Sequence, residues 1–463
     1  MRVMAIGHPT YAIGDRNVRK ITESELFLSN KRFGKLKKWH RKLRQERRQQ
    51  QKRRNRNQQK KTHNYEKILK LFKFEPKNEL SRFGDKAVEK VIEVPKVFSV
   101  IHEPEDFLKS LYQFNFGGLD KLQKITINHS KVTQLDLAAE SILDFLIIEL
   151  EKTKKGRLQL QGHLPKDPAT KRYVRATGII KNLDIKDQLL DSEQEKLHRV
   201  FSMRSKRLNP NASLDSKDWK DIAVEDFVEH INLCLKDHDK RLTKKAQGEL
   251  SKYTGEILIN AEEHSGMDEI IITGYLDNSN STHLCEIAIF NFGKTIADTF
   301  REMPDTSYTH EEIDGYITEH QKSRWFGSEW TKDDLLTVVA LQGHISSKNL
   351  HRNQDRGQGT VDLIEFFQRM HRQCIDVEQN NSKAEMAILS GSTHIYFDGT
   401  YSMQKNSVGR KVIAFNQAND LHKKPDSKYV KNLHNLSFPG TIISIRFPMK
   451  HENTESLRGT HNE

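Results

Sequence analysis

Glu256-Ile-Leu-Ile-Asn-Ala-Glu-Glu-His264 carries a carboxylate, an amide and an imidazole at four-residue intervals. On an α-helix that spacing stacks Glu256, Asn260 and His264 on one face, while Ile257, Leu258 and Ala261 supply an apolar stripe beside it. A carboxylate, an amide oxygen and an imidazole converging on one face can polarise water, ligate a hard cation and contact phosphate. The same pattern also describes an ordinary amphipathic helix with a polar outer side, so its meaning depends on the rest of the chain.

The chain has 463 residues and 35 % apolar content, enough for about two or three domains with real cores. No run is long and apolar enough for a membrane span, and the first residues lack the apolar stretch of a secretory leader, so a cytoplasmic protein with no membrane partner is expected. Cys234, Cys285 and Cys374 lie far apart with no paired spacing, which indicates neither a zinc site nor a disulfide framework.

The net charge of +13 is concentrated in one segment. Residues 31–61 hold 16 Lys and Arg against the single acid Glu46, and the remainder of the chain is close to neutral. Such a run selects an anionic partner. Leu36, Trp39 and Leu43 form only a narrow apolar stripe, so nucleic acid is expected before a membrane surface. With Gly34 alone interrupting it and no proline, 31–73 reads as a basic helical arm, and residues 1–30 remain uncommitted.

Further on, Lys124–Asn128 reads as a strand, Leu135–Lys152 as a helix and Arg157–Gln161 as a second strand, a parallel βαβ unit. Residues 184–220 are polar and read as a connector around Asn209-Pro-Asn-Ala-Ser213. The helical patterns Val224–Leu235 and Ala246–Glu263 lead into two β-rich runs, Glu269–Tyr275 and Cys285–Phe290, joined as a hairpin. A short helix over Leu335–Leu341, a helix over Val361–His371 opened by Arg356-Gly-Gln-Gly359, and a core strand over Ser390–Phe397 complete the pattern. Glycines at a helix start let backbone N–H groups approach phosphate where the helix dipole favours an anion.

Two resemblances follow from these motifs. Residues 95–190, with Val132-Thr-Gln-Leu-Asp136 at the turn and Tyr173-Val-Arg-Ala-Thr-Gly178 at the end, resemble a STAS-type domain, the fold of anti-sigma-factor antagonists. That family's regulatory serine follows the turn aspartate. Here Leu137-Ala-Ala139 stands in its place, so docking is expected rather than a phosphorylation switch. Residues 220–450 resemble the GHKL ATPase domain of gyrase B, MutL and the histidine kinases. Glu256-x-x-x-Asn260-Ala-x-x-His264 is similar to its N box and Asn291-Phe-Gly293 to its adenine box. Gly343 with Ser346-Ser347 and Arg356-Gly-Gln-Gly359 resemble its lid and second glycine box, and Gly440-Thr441 opens a strand like its closing one.

The resemblance implies an α/β sandwich, a mixed sheet covered by helices, that binds ATP and Mg²⁺. It implies Asn260 as the magnesium ligand, Glu256 as the residue that activates water, and His264 near the phosphates. Gly293 lets the chain pass close to adenine, and Thr441 helps fix the base. Gly357 and Gly359 cradle phosphates, with Lys294, Ser347, Lys348, Arg356 and Thr360 as further contacts. Three departures stand out. The adenine-binding aspartate is Asn291, the second glycine of that box is Thr295, and Thr360-Val-Asp-Leu replaces the usual Leu-Gly-Leu. The expected function is a Mg-ATP-dependent switch or ATPase coupled to nucleic acid or to a protein partner, with a nucleotide-dependent homodimer. A serine kinase acting on a STAS-like protein and a non-catalytic nucleic-acid-binding protein are the alternatives. No phosphoacceptor-helix motif surrounds His198 or His230, which argues against a histidine kinase.

Overall fold

A computed structural model describes residues 68, 89–114, 122–177, 198–204, 219–264, 270–277, 284–303, 307–327, 329–343, 345, 358–375, 383–449 and 453–457. The side chains at 260, 262–264, 308, 358–359 and 373–375 are excepted. The described residues all belong to the unit spanning 62–463. The basic arm therefore lies outside the described residues, Ile68 excepted.

In chain order the described elements begin with β1 (Glu89–Glu93), β2 (Val97–Phe98), α1 (Pro104–Tyr112), β3 (Lys124–Asn128), β4 (Gln134–Leu135), α2 (Leu137–Thr153), β5 (Gln159–His163) and α3 (Pro168–Thr177). Next come β6 (His198–Arg204), α4 (Trp219–Lys236), β7 (Lys240–Leu242), α5 (Lys244–His264), β8 (Ile270–Asp277) and β9 (Leu284–Phe292). Then follow α6 (Ile296–Arg301), α7 (Tyr308–Lys322), α8 (Lys332–Val339), α9 (Gln358–Ile375), β10 (Glu385–Gly391) and β11 (Thr393–Phe397). The chain closes through β12 (Gln404–Lys405), β13 (Lys411–Val412), β14 (Val430–Asn432), β15 (Phe438–Pro448) and β16 (Thr454–Ser456). The protein is α/β, and none of the described helices is long and apolar enough to cross a membrane.

A 7-stranded sheet in the order β14-β11-β10-β15-β9-β8-β6 organises this unit. Its strands were expected to be mixed in direction, yet every neighbouring pair is antiparallel. Two sequence readings are corrected here. Residues 198–204, within the stretch read as a polar connector, form edge strand β6, whose mostly half-buried residues include only Val200, Phe201 and Met203 as apolar side chains. Ser390–Phe397 is not one strand; it crosses the tight turn at Ser392 between β10 and β11.

Both faces of this sheet are covered, which is why Leu284-Cys-Glu-Ile-Ala-Ile-Phe-Asn-Phe292 is almost uniformly buried and does not alternate apolar with polar. On one face Ile287 and Ile289 pack with Phe227 of α4, Leu258 of α5 and Ile364 of α9. On the other, Phe290, Phe292, Ile271 and Tyr275 pack with Phe145, Ile142 and Leu146 of α2. Close fit matters on the first face. A Cβ on Gly274 would lie 2.3 Å from the Phe227 ring, so glycine there is a packing requirement.

The second layer contains a parallel 3-stranded sheet, β1-β3-β5, with α2 crossing between β3 and β5 as the βαβ pattern predicts. Asp136 starts α2 as its N-cap, accepting the Ala139 N–H at 2.8 Å. Its other carboxylate oxygen takes the Ser99 hydroxyl at 2.6 Å and the Ile101 N–H at 3.0 Å, which ties the turn to β2. The turn aspartate is thus a structural cap in a buried setting. Tyr173-Val-Arg-Ala-Thr177 lies on helix α3.

Candidate functional site

Alternation along β9 settles where Asn291 points. Asn291 shares the parity of Ile287 and Ile289, so it belongs to the face covered by α4, α5 and α9. Its register partner on β15 is Thr441, which shares the parity of Ile445 and Phe447 of the same face. Two residues separated by 150 positions, each singled out by its own motif, are therefore directly opposed. Asn291 is 5 % exposed, and among the described residues nothing hydrogen-bonds its side-chain amide. A buried amide in that state offers both its oxygen and its NH₂ to a ligand.

Ser390, a residue that motif reading missed, holds Thr441 in place. Its hydroxyl lies 2.9 Å from the Thr441 hydroxyl and accepts the Ile296 N–H at 2.8 Å, joining β10, β15 and the start of α6. A serine directly after the apolar run Met386-Ala-Ile-Leu389 was the available signal. Gly440 has φ +144°, and a Cβ there would stand 2.0 Å from the Asn291 carbonyl oxygen. The β9 and β15 backbones meet this closely only because the position is glycine. Gly293, at φ 120°, donates its N–H to the Pro439 carbonyl at 3.0 Å, turning the chain out of β9.

The departure at Thr295 has a local cause. Its hydroxyl N-caps α6 in a full capping box with Asp298, a role glycine could not fill. Lys294 is paired with Glu302 on the surface, a contact that directs it to its own loop.

Helix α5 packs against α4, α9 and the β8–β9 pair through Leu250, Tyr253, Ile257 and Leu258. Glu256 lies half-buried beside this stripe. Asn260 and His264 lie one and two turns further along α5, and their side chains are outside the described residues. Lys252 bridges to Asp362 of α9 at 2.9 Å, and Tyr253 stacks on Phe366 of α9 with ring centroids 4.5 Å apart. The bridge to Asp362, reinforced by the nearby Glu256 charge, raises the Lys252 ammonium above its ordinary range. Asp362 and Val361 both have structural partners here. Asp362 holds Lys252, while Val361 is fully buried and closes on Gly343, whose Cβ would lie 3.2 Å from the valine methyl. Gly359 and Thr360 lie in the first turn of α9, Thr360 half-buried; Ser347, Lys348, Arg356 and Gly357 are outside the described residues.

The structure thus brings Asn291, Thr441 and Gly293 to one end of the β9–β15 pair, with α5 and α9 side by side on the same face. Its donor set suits a purine: an amide and two hydroxyls can meet an exocyclic amino group and a ring nitrogen. For the metal, no cluster of three or more His, Cys, Asp or Glu occurs among the described residues. Mg²⁺ held mainly by phosphates and water needs only one or two protein oxygens, which is compatible with a single amide ligand.

Elsewhere in this unit, Trp330 is a core side chain whose indole N–H donates to His320 Nδ1 at 3.0 Å, while His320 Nε2–H donates to the Leu421 carbonyl. His394 points to the opposite face of the sheet and donates to the Val100 carbonyl at 2.9 Å. Cys234 and Cys285 are buried in the core, and burial pushes the Cys285 thiol up, which makes it unreactive as a nucleophile.

Comparison of the chain with protein-family models, curated proteins and solved structures gave no match.

Proposed function

We propose that residues 220–450 form a GHKL-type domain that binds Mg-ATP, and that the chain works as a nucleotide-dependent switch or ATPase coupled to a partner. The observation that carries this reading is the opposition of Asn291 and Thr441 on the sheet face covered by α5 and α9. Adenine would lie against this pair, with Asn291 Oδ1 accepting from the exocyclic amino group and the Thr441 hydroxyl, oriented by Ser390, meeting the ring. Phosphates would extend towards the start of α9, where the first-turn backbone N–H groups of Gly359 and Thr360 would favour anions. Asn260 would supply an oxygen to Mg²⁺, and the metal would neutralise clustered phosphate charge. Glu256, half-buried one turn before Asn260, would accept a proton from the attacking water.

The βαβ layer on the other sheet face, read as STAS-like, would be the docking module, and segment 31–61 the contact to nucleic acid. Against a serine-kinase reading in which Ser141 is the acceptor, its hydroxyl is buried against Thr273 Oγ1 at 3.1 Å.

Calorimetric titration with Mg-ATP tests the proposal. Wild type is expected to bind in the micromolar range, Asn260→Ala to bind at least tenfold more weakly, and Glu256→Ala to bind normally but release no phosphate. Absence of heat and of competition by ADP in folded wild type would remove the nucleotide reading. Deleting 31–61 is expected to weaken nucleic-acid binding and to flatten its salt dependence.

A further inference from the structure

A cavity of about 290 Å³ opens between the βαβ layer and the sheet, at the end of β9 remote from Asn291. It lies on the opposite face of the sheet, since Glu286 has the parity of Phe290 and Phe292. Five residues of extended strand put Glu286 and Asn291 roughly 16 Å apart, so this is not the nucleotide site.

The cavity wall is charged and built from buried groups. Glu286 is 2 % exposed. Its Oε2 accepts the Leu137 N–H at 2.8 Å and the Tyr173 hydroxyl at 3.0 Å. Oε1 is buried and accepts no hydrogen bond; the nearest cation, Arg446 Nε, is 3.6 Å away. A buried carboxylate oxygen in that state is costly unless a donor comes to it from the cavity. Across the space, Arg172 of α3 lines the wall, and it makes no hydrogen bond or ion pair among the described residues. Asp277 and His198, 3.8 Å apart, complete the polar lining, with Tyr275 donating or accepting at His198 Nδ1 over 2.9 Å. Exposed Thr133 and Gln134 stand at the rim, so the cavity is reachable from solvent.

Two cations, Arg172 and Arg446, and two carboxylates, Glu286 and Asp277, leave the lining without net charge. A ligand with a single charge would upset that balance, whereas one carrying both signs would bring Glu286 Oε1 the hydrogen bond it lacks and give the Arg172 guanidinium a partner. The volume suits a small polar molecule. We infer that this cavity is a binding site for a free α-amino acid, whose ammonium meets Glu286 Oε1 and whose carboxylate meets the Arg172 guanidinium. Because α2 begins at Leu137 and α3 carries Tyr173 and Arg172, the ligand would bridge sheet and docked layer and hold them together.

Thermal unfolding of the full chain, with each proteinogenic L-amino acid added singly at millimolar concentration, tests the site. At least one is expected to raise the melting temperature by a few degrees, with saturable contacts in ligand-observed NMR. Its N-acetyl derivative and its decarboxylated amine should each lose the effect. Arg172→Met, at a half-exposed position that tolerates change, is expected to weaken binding about tenfold or more. Asn291→Ala should leave it intact, which separates this site from the nucleotide site. No response to any amino acid in folded wild type, or an undiminished response in Arg172→Met, overturns the assignment.

Discussion

Asn291 and Thr441 face each other across β9 and β15, and the β-carbon missing from Gly440 is what lets the two backbones meet there. If adenine lies against this pair, Asn291→Asp replaces a mixed donor and acceptor with a pure acceptor for the exocyclic amine. ADP affinity is expected to rise roughly threefold to tenfold, while the ligand-free protein loses about 1 kcal/mol from burying an unpaired carboxylate. Calorimetry and urea unfolding read the two effects separately. Unchanged ADP affinity would place Asn291 away from the base.

Gly440→Ala should be severe. At φ +144° and 2.0 Å from the Asn291 carbonyl, an added methyl must displace backbone, not a flexible side chain. A loss of about 2 kcal/mol or more is expected in urea unfolding, together with loss of nucleotide binding. Gly409 has φ +79° with nothing within 4 Å of its Cβ, and Gly409→Ala is expected to show only the smaller backbone penalty.

Glu286 is a buried polar link between the sheet and the βαβ layer. Glu286→Ala orphans the Leu137 N–H and the Arg446 guanidinium, and a loss of about 3 kcal/mol is expected. Glu286→Gln keeps an acceptor for Leu137 and should lose less. Burial holds the Glu286 carboxyl above the ordinary range, despite the counter-effect of Arg446. Its raised folded value means that the native state binds the proton more readily. Its contribution is therefore fully present below the unfolded value of 4.5 and declines as pH rises through the raised one. Stability profiles of Glu286→Gln against wild type between pH 4 and 8, read by urea midpoints, should diverge in that sense.

His394 has the opposite sign. Burial drives its imidazole down from 6.5 to about 3, so the unfolded chain binds the proton more readily. Stability is full above pH 6.5 and falls as pH is lowered towards 3. The loss should reach about 2 kcal/mol at pH 5. His394→Gln, which can still donate to Val100, should remove this part of the acid sensitivity. His102 works against the trend, because its hydrogen bond to Glu385 raises it, and its contribution fades as pH rises above the unfolded 6.5. A wild-type profile identical to that of His394→Gln would refute the assignment.

Local pattern alone carried most of the element order. The periodicity around Leu250, Tyr253, Ile257 and Leu258 specified α5, the runs at Ile270 and Leu284 specified the β8–β9 hairpin, and the alternation at Lys124 with the following helix specified the βαβ unit. These are effects of side chains within a few positions of one another. What sequence could not supply was the assembly. It did not show that β6 closes the sheet edge, that all seven strands run antiparallel, or that the βαβ layer is the lid of the sheet's second face. Those arrangements depend on which buried surfaces find one another over long separations, such as Glu286 with Leu137 149 positions away. The same holds for the candidate site. The motif resemblance picked out Asn291 and Thr441 one by one, but only β-register made them neighbours, and only the β10–β15 pairing set Ser390 opposite Thr441. Local sequence determined which residues could carry chemistry. Strand pairing decided which of them share a face, because parity along a strand is meaningful only once its partner and its covering layer are known.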